Sequence, residues 1–204
     1  MIDLYAAGTS NGLRARMALE ECALPYELHP INLEKGEHKT PQFLAMNPNG
    51  QIPVIVDHDG PGGKPLTLSQ STAILIYCAE KSGRFIPKEG VARAAMWQAL
   101  SSASTDVTPT VGAIFAVVRS KDPHGPTADM FKSRFRDYLK VWDAKFGRQK
   151  YAAGAELSIA DISLYAAYVR ILGVIPAVCE GFPNVARWAN EMAARPAIQR
   201  AVKF

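Results

Sequence analysis

Hydrophobic positions in the first part of the chain come in short runs cut by turn-forming residues, and in the second part they recur at helical spacing. Residues 2–5 form an apolar run that is broken over 6–12. Ala15, Ala18, Leu19 and Cys22 then fall at i, i+3, i+4 and i+7, which predicts strand, loop and amphipathic helix. Arg16 and Glu20 are spaced to pair on the outer face of that helix, and Thr9, Ser10 and Asn11 are all candidate N-caps. Leu24-Pro25-Tyr26 ends it, and residues 26–33, interrupted at Pro30, predict a second strand. A polar loop over 35–40 leads to a short helix over 41–46 with proline in its first turn. Residues 52–56 and 66–68 predict an antiparallel hairpin across the Gly- and Pro-rich loop 57–64. Ser69-Gln70-Ser71 opens a helix that is apolar on every side over 73–79, so it is expected to be buried and to end near Gly83. The order so far is βαβ then ββα.

Beyond a linker, strand signals vanish. Residues 91–118 are helical in pattern, but Pro109 and Gly112 predict a kink or break there. A turn is expected over 121–126. Phe131, Phe135, Tyr138, Leu139, Trp142 and Phe146 then mark one face of a long helix, read as core packing between helices. Ser158-Ile159-Ala160-Asp161 is a capping box at the head of another helix, with Ile162, Tyr165, Val169 and Leu172 on one face. Val185, Trp188 and Met192 mark one more, and Arg195-Pro196 breaks the pattern before a short last turn.

Composition changes this picture little. At 204 residues and 48% hydrophobic content the chain has ample material for a core, in one large domain or two small ones. The net charge of +4 comes from scattered Lys and Arg, which argues against nucleic acid and leaves room for a small anionic ligand. Met1 leads straight into the first apolar run, and no apolar stretch approaches the length of a membrane span, so a soluble cytoplasmic protein with no membrane partner is expected. Cys22, Cys78 and Cys179 are far apart, form no Cys-x-x-Cys pair and sit among apolar neighbours, as buried thiols do. His29, His38, His58 and His124 show no metal-ligand spacing, and no metal is expected.

One stretch, Asn47-Pro48-Asn49-Gly50-Gln51-Ile52-Pro53-Val54-Ile55-Val56, is locally odd, because a proline opens what reads as an internal strand. That is tolerable where the strand end faces a ligand, with the backbone of Gln51 and Ile52 left to pair strand-like with a small peptide. This motif, with Gln70-Ser71 at the next helix start, resembles the glutathione-binding half of cytosolic glutathione transferases. The resemblance implies a thioredoxin-like fold, a cis bond before Pro53 and backbone pairing with the cysteinyl part of glutathione. The Ser158–Asp161 capping box is similar to one in that family's C-terminal domain. The implied fold is α/β plus all-α: a thioredoxin-like, glutathione-binding domain over 1–82, a linker over 83–89 and an all-helical domain over 90–204.

Glutathione chemistry needs a thiolate, whereas a free thiol with a pKa of about 8.5 is mostly protonated at neutral pH. Lowering it by two units corresponds to about 2.7 kcal/mol, within reach of two hydrogen-bond donors at a helix N-terminus. Aligned on Leu4-Tyr5, the tyrosine that many transferases use falls on Ala6, and the cysteine of the beta class falls on Asn11. Residues 1–5, Thr9-x-Asn11-Gly12, Leu24-Pro25-Tyr26, residues 33–37 and residues 73–81 are together most similar to the bacterial nu class, also called disulfide-bond oxidoreductases. That resemblance implies Thr9 and Asn11 as the groups at the sulfur. It also implies Gln51, Ile52 and Pro53 at the cysteinyl unit, Gln70 and Ser71 at the γ-glutamyl end, and His38 or Lys39 at the glycyl carboxylate. Arg134 corresponds to an arginine reaching the neighbouring subunit's ligand, in a homodimer. Tyr5 lies within the strand and is read as core.

Three features depart from the family. Gln70 stands where Glu or Asp is usual, Ser10 where the nu motif has proline, and the nu class's C-terminal extension has no counterpart here, which would widen access to the sulfur. Three readings remain: glutathione-dependent disulfide reduction; conjugation, peroxide reduction or thioether and ether cleavage on the same scaffold; and a non-catalytic binding module of the same fold.

Overall fold

The computed structural model describes residues 1–120 and 125–204, so most of the turn expected over 121–126 lies outside the described residues. It divides into two compact units, Met1–Phe85 with Arg195–Phe204, and Ile86–Ala194. Among the described residues no helix is long and apolar enough to cross a membrane.

The first unit contains β1 (Ile2–Ala6), α1 (Ser10–Glu21), β2 (Tyr26–Pro30), α2 (Pro41–Met46), β3 (Val54–Asp57), β4 (Leu66–Ser69) and α3 (Ser71–Ser82). The sheet order is β2-β1-β3-β4, with β1 parallel to β2 and antiparallel to β3, and β3 antiparallel to β4. Period-two burial sends Ile2, Leu4 and Ala6 inward, while Asp3 and Tyr5 lie on the other face. The core is made by these strands with Met17 and Leu19 of α1 and Ile74, Leu75 and Cys78 of α3, all essentially inaccessible to solvent. α3 is less enclosed than its composition suggests: Ala73, Ile76 and Tyr77 keep intermediate exposure. Tyr5 is not core either. It stacks on His29 with ring centroids 4.7 Å apart on the outer sheet face. Arg16 and Glu20 do not pair directly, because the Tyr26 hydroxyl stands between them, accepting from Arg16 Nε at 2.8 Å and donating to Glu20 Oε1 at 2.9 Å.

The last helix, expected within the second domain, packs with the first unit. α9 (Pro196–Ala201) lies along α1. Arg195 donates to both carboxylate oxygens of Glu21, at 2.6 and 2.7 Å, and Arg200 Nε to Glu20 at 2.7 Å. Glu21 is only 2% exposed, so its charge requires such a partner.

The second unit is helical: α4 (Gly90–Ser101), α5 (Thr108–Val118), α6 (Pro126–Phe146), α7 (Ile159–Leu172) and α8 (Pro183–Ala193). The kink expected near Pro109 takes the form of a π-helical segment, Ser102–Val107, running from α4 into α5. The widened turn accommodates the missing proline N–H, and the Thr108 hydroxyl donates to the Ala103 carbonyl at 2.7 Å. In α6, Phe135, Leu139, Trp142 and Phe146 are buried, whereas Phe131 and Tyr138 are of intermediate exposure. The capping box forms. Buried Asp161 accepts from Ser158 N at 3.0 Å, Ala152 N at 2.7 Å and Trp188 Nε1 at 3.0 Å, tying the start of α7 to α8.

Candidate functional site

The site begins where β1 turns into α1. Thr9 caps the helix, its Oγ accepting from the Gly12 amide at 3.1 Å. Gly12 is required there: a Cβ would lie 2.0 Å from the Ala7 carbonyl oxygen. The first turn of α1 therefore closes directly on the strand end, which brings Thr9 and Asn11 to one rim of a cleft of about 420 Å³.

A second rim is the segment before β3. Asn47, 3% exposed, donates from Nδ2 to the Gln51 carbonyl at 2.6 Å and accepts from Asn49 N at 3.2 Å, so its side chain shapes the turn. Gly50, with φ of 58°, leaves room for Lys39, whose Nζ donates to the Gly50 carbonyl at 3.0 Å; a Cβ here would sit 2.7 Å from that nitrogen. The Ile52–Pro53 peptide is cis, and the β3 ladder starts at Val54. The strand-opening proline thus sits at the cleft and outside the ladder, where its missing N–H costs no pairing. The third rim is the start of α3. Gln70 is held at φ of 72°, outside the conformations open at little cost to a side-chain-bearing residue, which turns it and Ser71 toward the cleft.

Of the residues predicted from the sequence, Thr9, Asn11, His38, Lys39, Gln51, Ile52, Pro53, Gln70 and Ser71 all line this cleft. Leu33, Asn47 and Gly50 line it too and were not singled out as site residues. Asn47 and Gly50 lie inside the motif that flagged the site, whereas Leu33 carries no sequence signal of its own. Arg134 is an exposed residue of α6 in the second unit and is not a lining residue.

Beneath the cleft is a residue that the sequence did not flag. Arg14, 2% exposed, donates from Nη1 to Asn11 Oδ1 at 2.9 Å and to Ser71 Oγ at 2.6 Å; Ser71 Oγ lies 3.2 Å from Asn11 Oδ1. Burial pushes the guanidinium down to about 10, so it stays ionised at neutral pH.

The electrostatics favour an anion. The cleft lining includes His38 and Lys39 and no carboxylate, and neither α1 nor α3 has an acidic residue in its first turn. Two helix N-termini, each with a partial positive charge, therefore open on it. His38 Nδ1 is buried without a hydrogen-bond partner among the described residues. No thiol lines the cleft: Cys22, Cys78 and Cys179 are all buried and free, and burial raises all three, Cys179 to about 11.

The histidines were read as isolated, but two of them converge on Asp3. Register places Glu27 opposite Asp3 and His29 opposite Tyr5 on one sheet face, and Asp3, Glu27 and His29 carry ligand-type atoms within 4.8 Å of one another. His58 Nε2 lies 2.8 Å from Asp3 Oδ2. That hydrogen bond, outweighing burial and joined by His29 at 3.4 Å, holds the Asp3 carboxyl below its ordinary range.

Comparison with known proteins gives the same outline. Residues 10–81 match the family model of the glutathione S-transferase N-terminal domain, and residues 110–196 that of the C-terminal domain. Disulfide-bond oxidoreductase YfcG of Escherichia coli is 34% identical over 204 residues, spanning 99% of this chain and 94% of that protein. The crystal structure of a glutathione transferase family member from Pseudomonas fluorescens, with two glutathione bound, superposes with a TM-score of 0.94 at 33% identity, over 99% of this chain and 92% of that one. A Pseudomonas putida glutathione transferase with one glutathione disulfide bound per subunit gives 0.91 at 30% identity, over 100% and 91%. By family models, relatives and fold alike, this chain belongs to the glutathione S-transferase family.

Proposed function

We propose that this protein is a glutathione-dependent enzyme that reduces small disulfides, with the sulfur of bound glutathione as its nucleophile. The observation that carries the reading is the pairing of Thr9 and Asn11 at the N-terminus of α1, on a cleft that has no carboxylate and no protein thiol. The Thr9 hydroxyl accepts from Gly12 and keeps its own proton to donate; the Asn11 amide supplies a second donor. Both stabilise the thiolate more than the thiol, which lowers the sulfur pKa.

The glutathione thiolate attacks one sulfur of the substrate disulfide. A glutathionyl–sulfur bond forms, and the other sulfur leaves with the electron pair and takes up a proton. A second glutathione thiolate then attacks the mixed disulfide, giving glutathione disulfide and a second free thiol. Two glutathiones are oxidised and one disulfide is reduced. The cysteinyl unit pairs with the backbone at Gln51 and Ile52 beside Pro53, and the γ-glutamyl end meets Gln70 and the first amides of α3 at Ser71. His38 and Lys39 serve the glycyl carboxylate. The glutathione and glutathione disulfide bound in the two similar Pseudomonas structures support glutathione as the ligand. In this reading the enzyme works as a cytoplasmic homodimer, with Arg134 on α6 facing the partner's ligand.

The test is turnover of hydroxyethyl disulfide with glutathione, set against conjugation of chlorodinitrobenzene, with calorimetry for glutathione binding. Disulfide turnover is expected to dominate. Fast conjugation without disulfide reduction would replace this reading with that of a conjugating transferase, and no binding at millimolar glutathione would make the protein a non-catalytic module.

A further inference from the structure

We infer that Arg14 is a positioning residue for this site: it fixes the Asn11 carboxamide with its oxygen turned into the protein, leaving only the NH2 group for the ligand sulfur, and joins that amide to Ser71. The inference rests on the reading that glutathione occupies the cleft.

The geometry is specific. Arg14 lies one turn along α1 from Asn11, and its Nη1 reaches both Asn11 Oδ1 at 2.9 Å and Ser71 Oγ at 2.6 Å. Ser71 Oγ, accepting from the guanidinium, gives its single proton to Asn11 Oδ1 at 3.2 Å. The amide oxygen thus accepts from two donors. Flipping the carboxamide would turn its NH2 toward a buried cation and a hydroxyl proton, donors against donors, so one orientation is enforced. Only N–H groups then remain for a ligand, as a thiolate requires.

The same bonds revise the part taken by Ser71. Its hydroxyl proton is committed inward, so what Ser71 offers a γ-glutamyl carboxylate is its backbone N–H in the first turn of α3, which has no partner within the helix. One buried side chain thereby ties the α1 rim of the cleft to the α3 rim. A lysine reaching from the same position keeps the charge, but its rotating ammonium does not fix the directions of two protons as the planar Nη1 group of the guanidinium does.

The experiment uses the full-length protein with glutathione bound. It follows the ultraviolet thiolate absorbance against pH, together with disulfide turnover, for wild type, Arg14→Met, Arg14→Lys, Asn11→Ala and the Arg14–Asn11 double variants. Arg14→Met is expected to move the thiol titration upward by about one pH unit and to cut kcat about tenfold, with KM for glutathione changed less than about threefold. Arg14→Lys is expected to recover part of both. Because Arg14 acts through Asn11, each double variant should fall within about twofold of Asn11→Ala alone. A folded Arg14→Met that matches wild type in titration and turnover overturns the inference, as do effects that multiply with Asn11→Ala. If Arg14→Met does not fold, the cycle of Arg14→Lys with Asn11→Ala decides by the same criterion. Wild type that binds glutathione as a thiolate without reducing disulfides overturns the functional reading only, and the titration still judges Arg14; wild type that binds no glutathione overturns both.

Discussion

At Gly12 one methyl group decides whether the cleft can form. With a Cβ placed 2.0 Å from the Ala7 carbonyl, Gly12→Ala must push the first turn of α1 off the strand end. It should cost about 2 kcal/mol or more in overpacking strain and abolish glutathione binding, read by thermal unfolding and calorimetry. Thr9 and Asn11 are a different case, since neither fills the core. Replacing both with Ala should lower disulfide turnover well over tenfold, while removal of the Thr9 cap costs stability only about 1 kcal/mol. Turnover kept within twofold in the double variant would remove these residues from the mechanism. Both were singled out beforehand through the resemblance of Thr9-x-Asn11-Gly12 to the nu class; the cap pattern alone did not separate them from Ser10, and of the three only Thr9 caps the helix. Arg14 was not, because in sequence it is simply one more arginine on an amphipathic helix.

Among the secondary-structure elements, β3 and α3 are joined by a charge. Buried Asp57, at the end of β3, accepts from Lys81 Nζ at 2.6 Å, Tyr77 Oη at 2.5 Å and the Asp59 amide at 2.9 Å. Lys81 also donates to the Asp59 carbonyl. Burial alone would raise this carboxyl, but Lys81, Tyr77 and the Asp59 amide together hold it below the ordinary range, and Tyr77 is pushed up to about 12 by burial and by that carboxylate. A carboxyl with a depressed folded-state pKa contributes stability that is present above its unfolded value of about 3.9 and is lost as the pH falls through the folded value. Unfolding free energy should therefore drop on acidification below about pH 4. Asp57→Asn should flatten that limb and cost about 2 kcal/mol at neutral pH, measured by urea titration across pH. An unchanged acid limb would mean that another carboxylate controls it.

Taken whole, the molecule buries its three thiols and gathers residues 195–204 into its first unit. Replacing Cys22, Cys78 and Cys179 together with Ala should leave disulfide turnover within about twofold of wild type, at a cost of about 1 kcal/mol for each small cavity. Loss of activity in the folded triple variant would contradict a glutathione nucleophile. Glu21→Gln should strand the Arg195 guanidinium beside a neutral amide. The expected loss is about 3 kcal/mol, read as a lower urea midpoint. A midpoint equal to wild type would mean that the Arg195–Glu21 pair contributes nothing net to holding α9.

The sequence by itself settled the order of strands and helices, the proline-led strand and the capping box, because each of these rests on local stereochemistry or short-range periodicity, whereas the nine predicted residues that line the cleft were reached through the resemblance of short motifs to a known family. What only the tertiary structure decided involves partners far apart in the chain: Arg14 reaching Ser71, the last helix returning to α1, and histidines from β2 and the end of β3 meeting on Asp3. Hydrogen bonds and ion pairs are directional and depend on where the backbone brings two groups, and spacing along the chain carries no trace of a partner 57 or 174 residues away.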